Sequence, residues 1–236
     1  MFFKRKVTLN LYTDRPDIYH WSQLQEAKKH KPEWWRRLKS PDPDGLELNP
    51  TMRHCRGFNN LFAKSFFAPM WCEALGNIYP DGQWDFTFAD NNLSRAEEHN
   101  EAQRGEFMPH AEYQHIKFMS PWYAHCDENI DFLYTNADYF DESNKDLIVL
   151  NGVNNFKHQG ALHLNVMIKR SLERKTIFIK KDTPMYMLIP LTERKVVLKH
   201  HLVTSVELLR IKSKKMPILH FTKNYRKVLS CPFHAK

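Results

Sequence analysis

Gln114-His-Ile-Lys-Phe-Met-Ser-Pro-Trp-Tyr-Ala-His-Cys-Asp-Glu-Asn-Ile-Asp-Phe-Leu-Tyr-Thr135 decides the fold class of this chain. It is rich in β-branched and aromatic residues, and Asp127-Glu-Asn129 interrupts it with turn chemistry. It reads as three strands, 114–119, 121–126 and 130–135. The same punctuation continues downstream. Strands are expected at 147–151, 160–169, 175–180, 185–190 and 195–203, parted by residues such as Glu142-Ser-Asn144 and Lys180-Lys-Asp182. Short strands at this spacing indicate a mainly β (α+β) chain with an antiparallel sandwich or jelly-roll-like core.

Upstream, Arg5-Lys-Val-Thr-Leu-Asn-Leu-Tyr12 alternates as a half-buried strand does, and Asp14-Arg-Pro-Asp17 is a turn. Residues 19–30 are compatible with a helix, and Pro32 opens a second short one through Leu38. Pro41-Asp-Pro-Asp-Gly45 is a loop, and residues 57–64 form a further short helix. Residues 66–78 and 83–89 flank Tyr79-Pro-Asp-Gly82 as a hairpin, with Trp84, Phe86 and Phe88 on one face of its second strand. Residues 94–106 have no apolar stripe and read as a helical surface excursion. Ile218, Phe221, Tyr225 and Leu229 recur at helical spacing, which predicts a basic amphipathic C-terminal helix over 216–230.

The 236 residues suit one domain: an N-terminal strand with short helices over 1–65, a β core over 66–205 and a basic helical tail over 206–236. Sixteen Phe, nine Tyr and six Trp supply enough burial to exclude disorder. No apolar run reaches the length of a membrane span, and the Met-Phe-Phe-Lys-Arg-Lys start carries no signal-peptide stretch. Cys55, Cys72, Cys126 and Cys231 form no Cys-x-x-Cys pair, so reduced structural thiols are expected, with Cys55 packed in the core.

The net charge of +8 is unevenly placed. Residues 195–236 hold ten Lys or Arg against Glu207 alone, so the rest of the chain is nearly neutral. Residues 127–146 carry Asp127, Glu128, Asp131, Asp138, Asp141, Glu142 and Asp146 against Lys145. This asymmetry suggests an anionic partner for the tail, or copies of the chain meeting basic to acidic. In the tail, Lys212, Lys214, Lys215, Lys223, Arg226 and Lys227, interleaved with Phe221 and Tyr225, are candidate contacts to phosphates and bases. No recognised nucleic-acid module accompanies them.

Several segments together resemble an uncharacterised protein family of tailed phages and bacteria: Pro32-Glu-Trp-Trp35, Thr51-Met-Arg-His-Cys-Arg-Gly-Phe58, Phe67-Ala-Pro-Met-Trp71, Lys117-Phe-Met-Ser-Pro-Trp122 and Thr183-Pro-Met-Tyr-Met-Leu-Ile-Pro190. They cover most of residues 30–195. The resemblance implies a phage-type protein of the host cytoplasm or the virion, and brings no established activity. A weaker resemblance concerns fold. Gly152-Val-Asn-Asn-Phe-Lys-His-Gln-Gly160 is similar in spacing to the Gly-x-x-Asp-x-x-Tyr-x-Gly motif of dUTPases and dCTP deaminases, and Lys180-Lys-Asp-Thr-Pro-Met-Tyr-Met-Leu188 to a later strand of those trimers. Asn155 stands where the family has its catalytic Asp, and His158 where it has the sugar-stacking Tyr. The resemblance therefore implies, at most, an inactive nucleotide-binding relative.

Among catalytic candidates, His125-Cys-Asp127 is the sharpest. A His-x-Asp pair at a strand end supplies two legs of a 2-His-1-carboxylate iron triad. His200 or His201 would be the distal ligand. Arg210 follows His200 by ten residues, similar to the cosubstrate-binding basic residue of 2-oxoglutarate oxygenases. The opposing reading is a plain strand-end turn. No His-Glu-x-x-His cluster, phosphate-cradling glycine loop or Gly-x-Ser-x-Gly elbow occurs. The expectation is a non-enzymatic β-rich binding, structural or accessory protein without a cofactor, working through a protein partner or self-association. An oxygenase using Fe2+ and 2-oxoglutarate is the alternative.

Overall fold

The computed structural model describes residues 6–38, 51–90, 95–98, 112–140 and 146–214. The chain opens with β1 (Val7–Thr13), α1 (Pro16–Trp21), β2 (Gln25–Glu26), α2 (Glu33–Arg37) and α3 (Arg56–Lys64). Then come β3 (Phe66–Pro69), β4 (Ala74–Ile78), β5 (Trp84–Phe88), β6 (Ala96–Glu98), β7 (Tyr113–Phe118), β8 (Tyr123–His125) and β9 (Asp131–Asn136). β10 (Leu147–Val149), β11 (Gly152–Asn155), β12 (Leu164–Lys169), β13 (Lys175–Ile179), β14 (Pro184–Pro190), β15 (Val196–Leu202) and α4 (Ser205–Ser213) follow.

The fold is mainly β and sandwich-like, with four sheets in the orders β15-β1-β8, β10-β12-β7-β6, β11-β9-β14-β3-β2 and β13-β4-β5. Every named pairing is antiparallel except β1 with β15. The central strands β3 and β14 of the five-stranded sheet are buried on both faces, which explains why Met185-Tyr-Met-Leu-Ile189 is apolar without alternation. Tyr186 and Leu188 face the main core, where Leu9, Leu11, Phe118, Val166 and Ile179 from the other sheets also meet. Met187 points the other way, into a second cluster with Ala27, Trp35, Phe62, Phe67 and Ala137 beneath α2 and α3.

The hairpin turn forms as its chemistry requires. Gly82 adopts φ +86°, and the Tyr79 amide donates to the Gln83 carbonyl at 2.9 Å. Phe86 packs on Phe88 and Phe118. Residues 66–78 divide, however: β3 joins the five-stranded sheet and β4 joins β5 and β13. The expected helix over 19–30 stops at Trp21. Ser22 is buried there, its carbonyl accepting from Trp122 Nε1 at 2.8 Å, which pulls the chain out of helical geometry. Residues 96–98 pair with β7 as a strand rather than a helix. Cys72 and Cys126 are buried as expected, but Cys55 is exposed at the start of α3. α4 starts with a capping box, Thr204 Oγ1 accepting from the Glu207 amide while Glu207 accepts from the Thr204 amide. The helix expected over 216–230, and with it Cys231, lies outside the described residues.

The Gly152–Gly160 stretch has local structural work to do. Asn155 Oδ1 accepts from the Lys157 amide at 3.1 Å, as an Asp oxygen would, but its Nδ2 also donates to Asn129 and Asp131, which an Asp could not do. Gly160 accepts the Ala124 amide at 2.7 Å, and a Cβ there would lie 2.1 Å from the buried Tyr123 ring. Gly160→Ala should therefore destabilise the fold by about 2–3 kcal/mol. Gly152→Ala, with nothing within 4 Å of the added Cβ, should stay within about 0.5 kcal/mol of the parent. Urea midpoints of the two variants measure the difference.

Candidate functional site: a polar cleft on the β1–β8–β15 sheet

The three-stranded sheet has two chemically opposed faces. On β1, Val7, Leu9, Leu11 and Thr13 are buried, while Thr8, Asn10 and Tyr12 alternate outward. Register carries this pattern across the sheet. Asn10 lies opposite His125 of β8 and Lys199 of β15, and Tyr12 opposite Tyr123 and His201. Residues 127 and 157 follow strands β8 and β11, and the last turn of α4 brings Ile211 and Lys214 over the same face. Together Asn10, Tyr12, His125, Asp127, Lys157, Ile211 and Lys214 line an open cleft of about 580 Å³. That volume falls in the range of ordinary ligand sites.

Within it the polar groups hold one another. His125 Nε2 donates to Asp127 Oδ1 at 2.9 Å. The other nitrogen, Nδ1, is buried with no hydrogen-bond partner, so the ring presents no free nitrogen to the cleft. His201 Nε2 donates to Asn10 Oδ1 at 2.9 Å, and its ring stacks on Tyr12 with centroids 4.7 Å apart. Burial and the nearby Lys199 hold His201 below the ordinary histidine range. Burial and the Asp127 carboxylate push the Tyr12 phenol up.

The sequence candidates divide accordingly. His125 and Asp127 come together as a hydrogen-bonded pair. His200 sits on the opposite face of β15, its ring 5.2 Å from that of Trp122, and burial lowers it to about 4. Among the described residues, no three His, Cys, Asp or Glu side chains are grouped so as to hold a metal ion. Arg210 and Lys212 are exposed on α4, and Lys214 reaches the cleft. Lys215, Lys223, Arg226 and Lys227 lie outside the described residues. Asn10, Tyr12, Lys157 and Lys199 join the site unannounced. Alternation marks Asn10 and Tyr12 as outward, but only the pairing of residues 7–13 with 196–202 and 123–125 assembles the face.

The acidic segment also looks different once folded. Glu128 makes two contacts with Arg194, at 3.0 and 3.1 Å, and Asp146 pairs with Lys175 at 2.5 Å. Asp131 accepts from Asn155. Two carboxylates of the expected acidic face, Glu128 and Asp146, are thus paired with cations within the chain. By contrast, Lys157, Lys199 and Lys214 have no carboxylate partner among the described residues.

No described helix is long and apolar enough to cross a membrane. No protein-family model, curated protein or solved structure matches the chain, so the cleft's chemistry rests on its own geometry.

Two half-buried histidines, His163 and His200, make stability depend on pH. Burial, with Lys117 and Lys212 nearby, lowers His163 to about 4, and burial lowers His200 likewise. Both are neutral in the fold but take up protons below pH ~6.5 when unfolded. Stability should therefore fall as pH drops from about 6.5 towards 4, and level off below that. The loss is about 2 kcal/mol per histidine at pH 5. Urea titrations at pH 7 and pH 5 test this, and His200→Leu, which keeps an apolar group against Trp122, should remove part of the pH dependence.

Proposed function

We propose that this chain is a phage-type, non-enzymatic binding or accessory protein that acts through protein–protein contacts, in the cytoplasm of the host cell or in the virion. The partner is held in the cleft between the outer face of the β1–β8–β15 sheet and the end of α4. One observation carries the reading: the groups in the cleft that look most catalytic are spent on each other. A general base must offer a free lone pair within hydrogen-bond reach of the proton it takes. His125 gives Nε2 to Asp127 and keeps Nδ1 buried, so the pair shapes the wall instead of attacking a ligand. What the cleft does present is lysine ammonium groups, an amide, a phenol and one side of a carboxylate, a set suited to recognition.

A photo-reactive amino acid placed at Lys157 tests this, with the same group at Lys169, exposed on the four-stranded sheet, as control. The expected result is a discrete protein adduct from position 157 alone, whose identified partner rebinds when purified. Absence of a 157-specific adduct overturns the reading. So does about one iron per chain that is lost in His125→Ala, accompanied by 2-oxoglutarate turnover.

A further inference from the structure

We infer that the segment of the partner seated in the cleft is an acidic stretch of polypeptide, rich in Asp and Glu. This rests on the cleft's being a protein-binding site and adds the chemistry of what enters it. The first support is uncompensated charge. Lys157 and Lys214 flank the cleft from two different elements, and Lys199, beside the lining, pairs with Asn10 in register. Lys199 is close enough to His201 to bear on its protonation. Several cations elsewhere are matched by carboxylates, Arg194 by Glu128, Lys117 by Glu97, Lys175 by Asp146 and Lys64 by Glu193, whereas the cleft lysines are not. A concave surface with an excess of one sign of charge, here Lys157 and Lys214 against Asp127, concentrates the opposite sign and speeds its association.

The second support is the carboxylate left in the cleft, which separates the two common polyanions. Asp127 is 88% exposed and uses only Oδ1 on His125. Its Oδ2 has no hydrogen-bond partner among the described residues and, as a carboxylate oxygen, is an acceptor. A nucleic-acid backbone brings acceptor oxygens with a charge at every phosphate, and meets Asp127 as repulsion. A peptide brings both kinds of group: side-chain carboxylates for the lysines and the Asn10 amide, and main-chain N–H donors for Asp127 Oδ2. The mixed donor and acceptor lining is the pattern a polypeptide satisfies.

Fluorescence anisotropy on the full chain provides the test. The probes are a fluorescein-labelled octapeptide of alternating Glu and Ser, its Gln-Ser counterpart, and an oligothymidylate of equal length. At low salt the acidic peptide should bind at least tenfold more tightly than either other probe. Lys157→Glu with Lys214→Glu should reduce it to the level of the Gln-Ser peptide, while Lys169→Glu leaves it unchanged. Both lysines are at the surface, so circular dichroism and the thermal midpoint should match the parent. Equal binding of the acidic and neutral peptides overturns the inference, as does binding that survives the double substitution. Tighter binding of the oligothymidylate, lost in the same variant, makes the cleft a nucleic-acid site instead. If the inference fails while the position-157 adduct persists, the site still holds a protein but one recognised by other chemistry. If that adduct is absent as well, the proposed function falls with it.

Discussion

The parallel pairing of residues 7–13 with 196–202 is the constraint on which the site depends. Two parallel strands cannot be joined by a tight turn, and here nearly the whole chain intervenes. The pairing forms only when the intervening sheets have a core to close around, since the entropy of so long a loop must be met by contacts made elsewhere. Leu9 and Leu11 supply them on the buried face, where they join Phe118, Val166 and Ile179. The outer face then follows by parity. With the odd-numbered residues of β1 inside, Asn10 and Tyr12 are outside, and register places His125, Lys199 and His201 beside them.

This explains how much the amino-acid sequence reveals. The strands at 7–13, 113–118, 131–136, 164–169, 175–179 and 184–190 carry local signals, either alternation or an apolar run between turn residues. All lie within a few residues of where those signals put them. Elements decided by distant partners are not legible. Helix-compatible residues past Trp21 become irregular because Ser22 binds Trp122, a hundred residues away. Ala96–Glu98 becomes a strand because β7 offers an edge. Cys55 looked like core by residue type, yet its neighbours place it at an exposed helix start. Gly160 and Asn155 stand out in the sequence as motif residues, while their contacts are a close approach to Tyr123 and a side-chain-closed turn.

Charge shows the same division between composition and geometry. Counting residues puts the acidity at 127–146 and the basicity in the tail. Folding changes which charges remain available, because Glu128 and Asp146 find cationic partners well along the chain, Arg194 in the turn before β15 and Lys175 on β13. These pairs are partly exposed, so each contributes little to stability. Their effect on recognition is larger, since a neutralised carboxylate no longer draws in a basic surface. The lysines around the cleft keep their field because no described carboxylate is spent on them.

The His-x-Asp spacing shows why a short motif is weak evidence taken alone. On an extended strand, residues two apart share a face. A histidine at a strand end and an aspartate in the following turn can therefore meet either around a metal or directly. The motif is the same in both cases, and the position of the third ligand separates them. β15 could have offered one from the adjacent strand, but its two histidines are consecutive and so point to opposite faces. His200 goes to Trp122, and His201, which does share the face, is opposite Tyr12 and is held by Asn10. Asn10 lies opposite His125 in register on the outer face, and its oxygen engages His201. One strand's alternation, carried across two neighbours, decides which of these residues share the outer face.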